Sequence, residues 1–398
     1  MIRTSDRIAR LPGYPLAEIP SIKRRLIEQG MDVIDMGAGD SDYPPPAPVI
    51  EALRSALGDL RYHKYGFQQG LPEFRQACSA FVERRFGQRF DPVTEILPLI
   101  GSKEGLSHVT LAVCNPGDAV LVPEPGYQAY IGGALLSLAE PVICGLRPET
   151  DFLLDWDRIP AATLDRTQVV YLNYPNNPTA AIAPMEYLEK SVAICRKHGI
   201  LLAYDNAYAD LTFDGYVAPS IFEIPGARDV AVEFLSLSKS YSMTGWRLGY
   251  AVGNARLIGA LTRVKSYVDT GPFLAIQKAG CVALARSEEF VAPIRSELQQ
   301  RRDAAIAALR ESGFAASSPK ASMYLWVALP PGVASQPFAR RVMEETAAIV
   351  LPGAAFGPAG EGFFRVALTV ASDRLAEGIR RIGGALAREP RGGVAAAT

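Results

Sequence analysis

The feature that most limits the fold is a series of short, mostly apolar runs between residues 119 and 252. They fall at 119–122, 141–144, 169–172, 200–204, 230–235 and 248–252, and most are β-branched. Helical stretches separate several of them. Strands that are apolar on both faces belong to parallel sheets covered by helices on both sides. An α/β fold with a mostly parallel sheet is therefore expected. Residues 70–86 read as an amphipathic helix, because Phe74, Ala77, Cys78, Phe81, Val82 and Phe86 recur at helical spacing. A second helix is expected over 101–114, ended by the turn Asn115-Pro116-Gly117-Asp118.

After Pro272 the pattern changes. A long helix near 287–312 is followed by a strand near 323–327, a helix near 338–346, a strand near 363–369 and a last helix near 373–387. This reads as a smaller α+β domain. The expected division is a large domain over 46–285 and a small one built from 1–45 and 286–398. The tail after Glu389 is rich in Gly and Ala and is expected to fray.

Charge narrows the function. The 398 residues carry 41 basic and 42 acidic side chains, a formal net charge of −1. That balance gives no reason to seek nucleic acid or an anionic membrane. No apolar run approaches the ~18–20 residues of a membrane-spanning helix, and the N-terminal stretch lacks the apolar core of a secretory signal. The five cysteines, Cys78, Cys114, Cys144, Cys195 and Cys281, are scattered and never in a C-x-x-C pair. They argue against a disulfide framework and a cysteine zinc site, and fit a cytoplasmic setting. The three histidines have no ligand spacing, so no metal is expected.

The chemistry concentrates in Ser236-Leu237-Ser238-Lys239, followed by Gly245-Trp246-Arg247-Leu248-Gly249-Tyr250. A lysine in the turn after a buried strand is badly placed as a solvated charge. It is well placed as an amine held against a ligand, and a desolvated lysine is the nucleophile of Schiff-base chemistry. The nearby hydroxyls and Arg247 suit a phosphate. A loop lysine with a chance arginine is the plain alternative.

This segment resembles that of the fold-type-I pyridoxal-phosphate aminotransferases of classes I and II, whose S-x-S-K…G-x-R-x-G-Y pattern it repeats. Further motifs follow in the family's order over nearly the whole chain. The resemblance implies a large domain with a mostly parallel seven-stranded sheet flanked by helices, a smaller α+β domain and pyridoxal 5′-phosphate as cofactor. It makes Lys239 the catalytic residue, holding the cofactor and then moving the substrate Cα proton. Asn173-Tyr174-Pro175-Asn176-Asn177-Pro178-Thr179 resembles the family's N-x-P-x-N-P-T-G, with Ala180 in place of the glycine. Asn177 would then meet the cofactor's phenolic oxygen and the substrate, although the stretch is also an ordinary Asn/Pro turn. Asp205-Asn206-Ala207-Tyr208 is similar to the family's D-E-x-Y. Asp205 would face the pyridine nitrogen and Tyr208 the phenolic oxygen; a helix N-cap is the other reading of Asp205.

Gly101-Ser102-Lys103 opens a helix, and orphan amides at a helix start bind anions. The resemblance places the phosphate on the amides of Ser102 and Lys103, with Ser236 and Arg247 completing the cradle. Tyr127, in a P-x-P-x-Y segment, would stack on the ring or be a core aromatic. Arg365, alone among apolar residues of a strand, would clamp the substrate α-carboxylate, with the backbone of Gly39 close by. An internal salt bridge is the alternative for Arg365. Tyr65 begins a Y-x-x-x-x-G-x-P motif whose tyrosine, in the family, reaches the neighbouring subunit's phosphate. A homodimer with shared sites would follow. Asp210 and Asp214 read as a solvated loop rather than a metal site.

The expected activity is ping-pong transfer of an amino group between an L-amino acid and a 2-oxo acid. The stretches around 173–179, 205–208, 224–230, 243–247 and 360–370 most resemble LL-diaminopimelate aminotransferases, with 2-oxoglutarate as acceptor. Alanine, aspartate or other glutamate-linked transamination is the alternative, as is lyase chemistry on the same fold. Ser236–Lys239 is also a literal S-x-x-K, but the S-D-N and K-T-G motifs of serine acyl enzymes do not occur in the chain. A ligand-sensing regulator would need a DNA-binding domain, for which the first 45 residues are too few.

Overall fold

The computed structural model describes residues 2–13 and 19–387. The tail after Glu389, expected to fray, lies outside the described residues. Twelve strands are present among them: β1 (Ile34–Asp35), β2 (Ile96–Leu99), β3 (Ala119–Glu124), β4 (Glu140–Gly145), β5 (Thr167–Leu172), β6 (Leu201–Asp205), β7 (Ala231–Ser236), β8 (Gly249–Gly253), β9 (Tyr324–Ala328), β10 (Ala348–Ile349), β11 (Leu351–Pro352) and β12 (Phe363–Ala367).

The chain forms two compact units. One comprises the described residues of Met1–Pro12, Asp40–Ser296 and Lys320–Ser322; the other, those of Gly13–Gly39, Glu297–Pro319 and Met323–Thr398. The first holds a seven-stranded sheet in the order β2-β8-β7-β6-β5-β3-β4. β3 to β7 run parallel; β8 opposes both β7 and β2, so β2 runs with the majority. Alternate strand residues serve opposite faces. Val169 and Tyr171 belong to one apolar cluster with Val120, Phe234 and Ala251; Val170 and Leu172 belong to another with Leu121, Leu202 and Leu235. Two buried faces explain why these strands read as largely apolar runs.

The run 96–99 gave no strand signal because Pro98 interrupts it. β2 is an edge strand, where a missing N–H is tolerated. The expected helices are found as Pro72–Phe86 and Ser102–Val113. Gly87, left-handed at φ 69°, closes the first.

The second unit contains the antiparallel sheet β11-β12-β9 and the parallel pair β1–β10. Its helices include Ile19–Glu28, Ser335–Thr346 and Ser372–Ala387. Ile22 and Leu26 pack with Met343, Ala347 and Ile349. No described helix is long and apolar enough to cross a membrane.

Candidate active site

Parallel strands end on the same edge of their sheet, and in open α/β sheets that carboxyl edge is where ligands bind. Here β2 ends three residues before Ser102 and β3 three before Tyr127. β5 ends ahead of Asn173, β6 ends on Asp205, and β7 ends on Ser236. Nine expected site residues of the first unit are thereby gathered on or just beyond one edge: Ser102, Lys103, Tyr127, Asn177, Asp205, Tyr208, Ser236, Lys239 and Arg247. β8, being antiparallel, begins on the edge where β7 ends, so Arg247 returns beside Ser236.

Asp205 is the electrostatic centre. It is buried and followed by a turn rather than a helix, so it is not an N-cap. Its Oδ2 accepts from the Tyr130 hydroxyl at 2.8 Å, while Oδ1 makes no hydrogen bond of good geometry. Burial pushes the carboxyl up to about 6, against the pull of Tyr130 and the Ala207 N–H. A desolvated carboxylate with one open oxygen is built to receive a cationic donor. Asn173 braces the site. Its Nδ2 donates to the Asp205 carbonyl at 2.7 Å, and its Oδ1 accepts from the Asn177 amide at 2.8 Å. Asn176 is buried and structural, with its Oδ1 accepting from the amide and hydroxyl of Thr179 at 2.9 and 2.8 Å. Asn177, unlike Asn173 and Asn176, is half-buried. Ala180 stands in the left-handed region at φ 58°, the conformation glycine adopts freely.

Lys239 lies in the one-turn helix Leu237–Ser240, capped by Ser236, whose Oγ accepts from the Ser238 amide at 3.2 Å. Thr244 ties the following loop back through the Ser238 carbonyl at 3.1 Å. Arg247 is left-handed at φ 57° and donates to the Thr244 carbonyl at 2.7 Å. Its guanidinium is seated against Gly101. A Cβ there would stand 3.0 Å from Arg247 Cζ and closer still to Nη2. A Cβ on Gly249 would come within 2.8 Å of the Ser102 amide nitrogen. Both glycines therefore allow the arginine and the helix start to crowd together, a cationic, amide-lined hollow suited to phosphate. The Lys103 ammonium lies 5.7 Å from the Tyr127 ring centroid, adding charge beside it. Tyr208 is buried and Tyr127 half-buried.

Asp210, read as part of a solvated loop, is instead largely enclosed and accepts from Arg85 at 3.2 Å and from Ser240 at 3.1 Å. Tyr65, at 75 % exposure, stands apart on the first unit's surface, its ring 6.2 Å from exposed Phe67.

In the second unit Arg365 lies in β12, opposite Trp326 of β9 and Leu351 of β11. It is buried, its Cζ 4.0 Å from the Tyr324 ring centroid and 4.8 Å from that of Phe356. Its Nη2 donates to the Gly37 carbonyl at 2.8 Å. The segment 36–39 runs beside β12, with Ala367 donating to the Met36 carbonyl at 2.7 Å. Gly39 has no room for a Cβ, which would strike the Tyr324 hydroxyl. Arg365 and Gly39 are thus brought to the same place, as expected.

Tyr130, Asn173 and Gly101 were not singled out by sequence. Tyr130 follows Tyr127 by three residues on the helix Gln128–Leu136, a spacing that flags a shared face. Asn173 stands inside the recognised motif, but only the structure shows it bracing both Asp205 and Asn177.

The family profile for aminotransferase class I and II matches residues 31–382. The LL-diaminopimelate aminotransferase of Nitratidesulfovibrio vulgaris strain Miyazaki F is 45 % identical over 382 residues, covering 96 % of this chain and 98 % of the relative. Substrate-bound BacF from Bacillus subtilis superposes with a TM-score of 0.93 at 32 % identity, over 96 % of this chain and 98 % of its own. A probable N-succinyldiaminopimelate aminotransferase from Thermus thermophilus gives 0.89 at 36 % identity, over 93 % of this chain and 100 % of its own.

Proposed function

The chain belongs to the class I and II aminotransferases, and we propose that it uses pyridoxal 5′-phosphate to transfer the amino group of LL-diaminopimelate to 2-oxoglutarate. The observation that carries the cofactor reading is Asp205, a buried carboxylate with one oxygen on Tyr130 and the other open. A protonated pyridine nitrogen is the donor that Oδ1 lacks. The crowded hollow at Gly101, Ser102 and Arg247 fits the phosphate equally well.

When bound, the cofactor supplies a carbonyl that captures the amino group and a ring that accepts the electron pair left at Cα. The amides of Ser102 and Lys103, the Ser236 hydroxyl and the Arg247 guanidinium hold the phosphate. Tyr127 would pack against the ring. Asn177 and Tyr208 would donate to the phenolic oxygen, and Asn177 would also line the substrate's place. Asp205 would keep the ring nitrogen protonated. Lys239 would hold the cofactor through Nζ and, as a free amine, would take the proton from Cα and return it. Arg365 takes the substrate α-carboxylate with its planar fork, beside the backbone of Gly39.

LL-diaminopimelate is favoured because the relative that acts on it is 45 % identical over almost the whole chain. A homodimer completes the site, with Tyr65 reaching the other copy's phosphate. The exposure of Leu60, Tyr65, Phe67 and Tyr267 supports a covered face. The five free cysteines suit the cytoplasm.

An absorbance spectrum of the purified protein tests this reading. A visible band that borohydride fixes on Lys239, and that LL-diaminopimelate bleaches more efficiently than alanine or glutamate, is expected. A protein left colourless by added pyridoxal 5′-phosphate would overturn it.

A further inference from the structure

Behind the start of the helix Ser102–Val113 lies a largely enclosed ionic cluster that none of the roles above uses. Lys265, on the helix Ala255–Val268, is 1 % exposed. Its ammonium lies 2.6 Å from Glu104 Oε1 and 2.6 Å from Asp269 Oδ1. His108 Nδ1 stands 3.5 Å from the same Glu104 oxygen. Glu104, His108 and Asp269 have the spacing of a three-ligand cation site, and Lys265 already brings a cation to two of them.

Each carboxylate also holds backbone. Glu104 Oε2 accepts from the Ile100 amide at 2.6 Å, reaching across Gly101 to the turn before the helix. Asp269 Oδ1 accepts from the Gly271 amide at 2.6 Å. Burial alone would push the Glu104 carboxyl up, but His108, Lys265 and the Ile100 amide pull it down to about 2. Glu104 is therefore an anion in the first turn of the helix whose first amides form the phosphate hollow. Unmatched, that charge would repel a phosphate and swing away from Ile100. Lys265 prevents both.

We propose, resting on the reading of this helix start as the cofactor's phosphate site, that Lys265 is a positioning residue for phosphate. Acting through Glu104, it fixes the Ile100–Gly101 turn and offsets the half-buried acids beside the hollow. It touches neither substrate nor cofactor.

The test titrates the full-length chain with pyridoxal 5′-phosphate and, separately, with pyridoxal, which lacks the phosphate. Both ligands meet Lys239 and Asp205 alike, so their affinity ratio isolates the phosphate end. Lys265→Met is expected to raise the Kd of pyridoxal 5′-phosphate about 30-fold while changing that of pyridoxal less than about 3-fold. Adding Glu104→Gln to Lys265→Met removes the unmatched charge and is expected to recover about 5-fold. Lys265→Gln, which can still donate to either carboxylate, gives the same ratio change at about 5-fold if the methionine variant fails to fold. A Lys265 variant that weakens both ligands equally, or neither, overturns the proposal. A native protein that binds the two ligands equally overturns the cofactor reading instead.

Discussion

Two buried carboxylates lie on neighbouring strands and meet opposite fates. In register, Asp205 of β6 faces Phe234 of β7, and Glu233 of β7 faces Tyr204 of β6. One residue of offset sends them to opposite faces of the sheet. Burial pushes both up, Asp205 to about 6 and Glu233 to about 7. Glu233 is fully partnered: Oε1 accepts from Asn206 Nδ2 at 2.7 Å, and Oε2 meets the Ser220 hydroxyl. Asp205 keeps one oxygen open. A buried acid with every partner supplied holds the fold together. One with a partner missing is reserved for something else. Burial and a shifted pKa do not separate these cases; the count of hydrogen bonds does.

Substituting each acid breaks or sharpens that contrast. Asp205→Asn retains an acceptor for Tyr130 but cannot hold a cationic nitrogen. It is expected to lower kcat/KM by about 10³-fold, with a melting temperature unchanged or raised; a large loss of stability would erase the distinction. Glu233→Ala should do the reverse. Leaving Asn206 and Ser220 without their acceptor costs about 2–4 kcal/mol in urea unfolding, while turnover per folded molecule stays within about 3-fold.

The pH dependence of unfolding separates the pair without any ligand. Each acid is raised in the folded chain, so its neutral form is the one folding favours. The stability this contributes is complete below the ordinary carboxyl range near 4 and is lost as pH rises through about 6 for Asp205 and about 7 for Glu233. In the cofactor-free chain Asp205→Asn should cancel a loss of about 3 kcal/mol between pH 4 and pH 7. A variant with the same slope as the native chain would show that Asp205 is solvated after all. Tyr130→Phe removes the single side-chain donor to Asp205, and a loss of about 10-fold in kcat/KM is expected. The smallest effect is at the rim of the same edge. Ala180→Gly relieves a left-handed alanine against the added freedom of the unfolded chain, a net gain of about 0.5 kcal/mol.

Most strands of the large sheet were legible because burial on both faces leaves a largely apolar signature, interrupted in β7 by the buried Glu233. β2 was not, since Pro98 hides an edge strand that only its pairing with β8 reveals. Lys239, Asp205, Asn177 and Arg247 could be singled out because each stands in a short local motif, and the structure gathers them on one edge of the sheet. Tyr130 and Lys265 were not. Their roles depend on partners 75 and 161 residues away, a separation no local pattern encodes. The division of the chain shows the same limit. Residues 2–12 and 320–322 belong to the first unit, and 13 and 19–39 to the second, a sorting set by contacts rather than by composition.

The antiparallel strand β8 also sets an order of events during synthesis. Among the described residues β2, which leads into the phosphate hollow, has no other strand partner. Its first turn, Gly101-Ser102, therefore waits for β8 to leave the ribosome. At about 5–20 residues per second, the roughly 150 residues between them take on the order of ten to thirty seconds. Throughout that interval the nascent chain carries its anion-binding turn without the arginine and the strand that complete it. The turn is thus completed late and in one step, when β8 takes its place between β2 and β7.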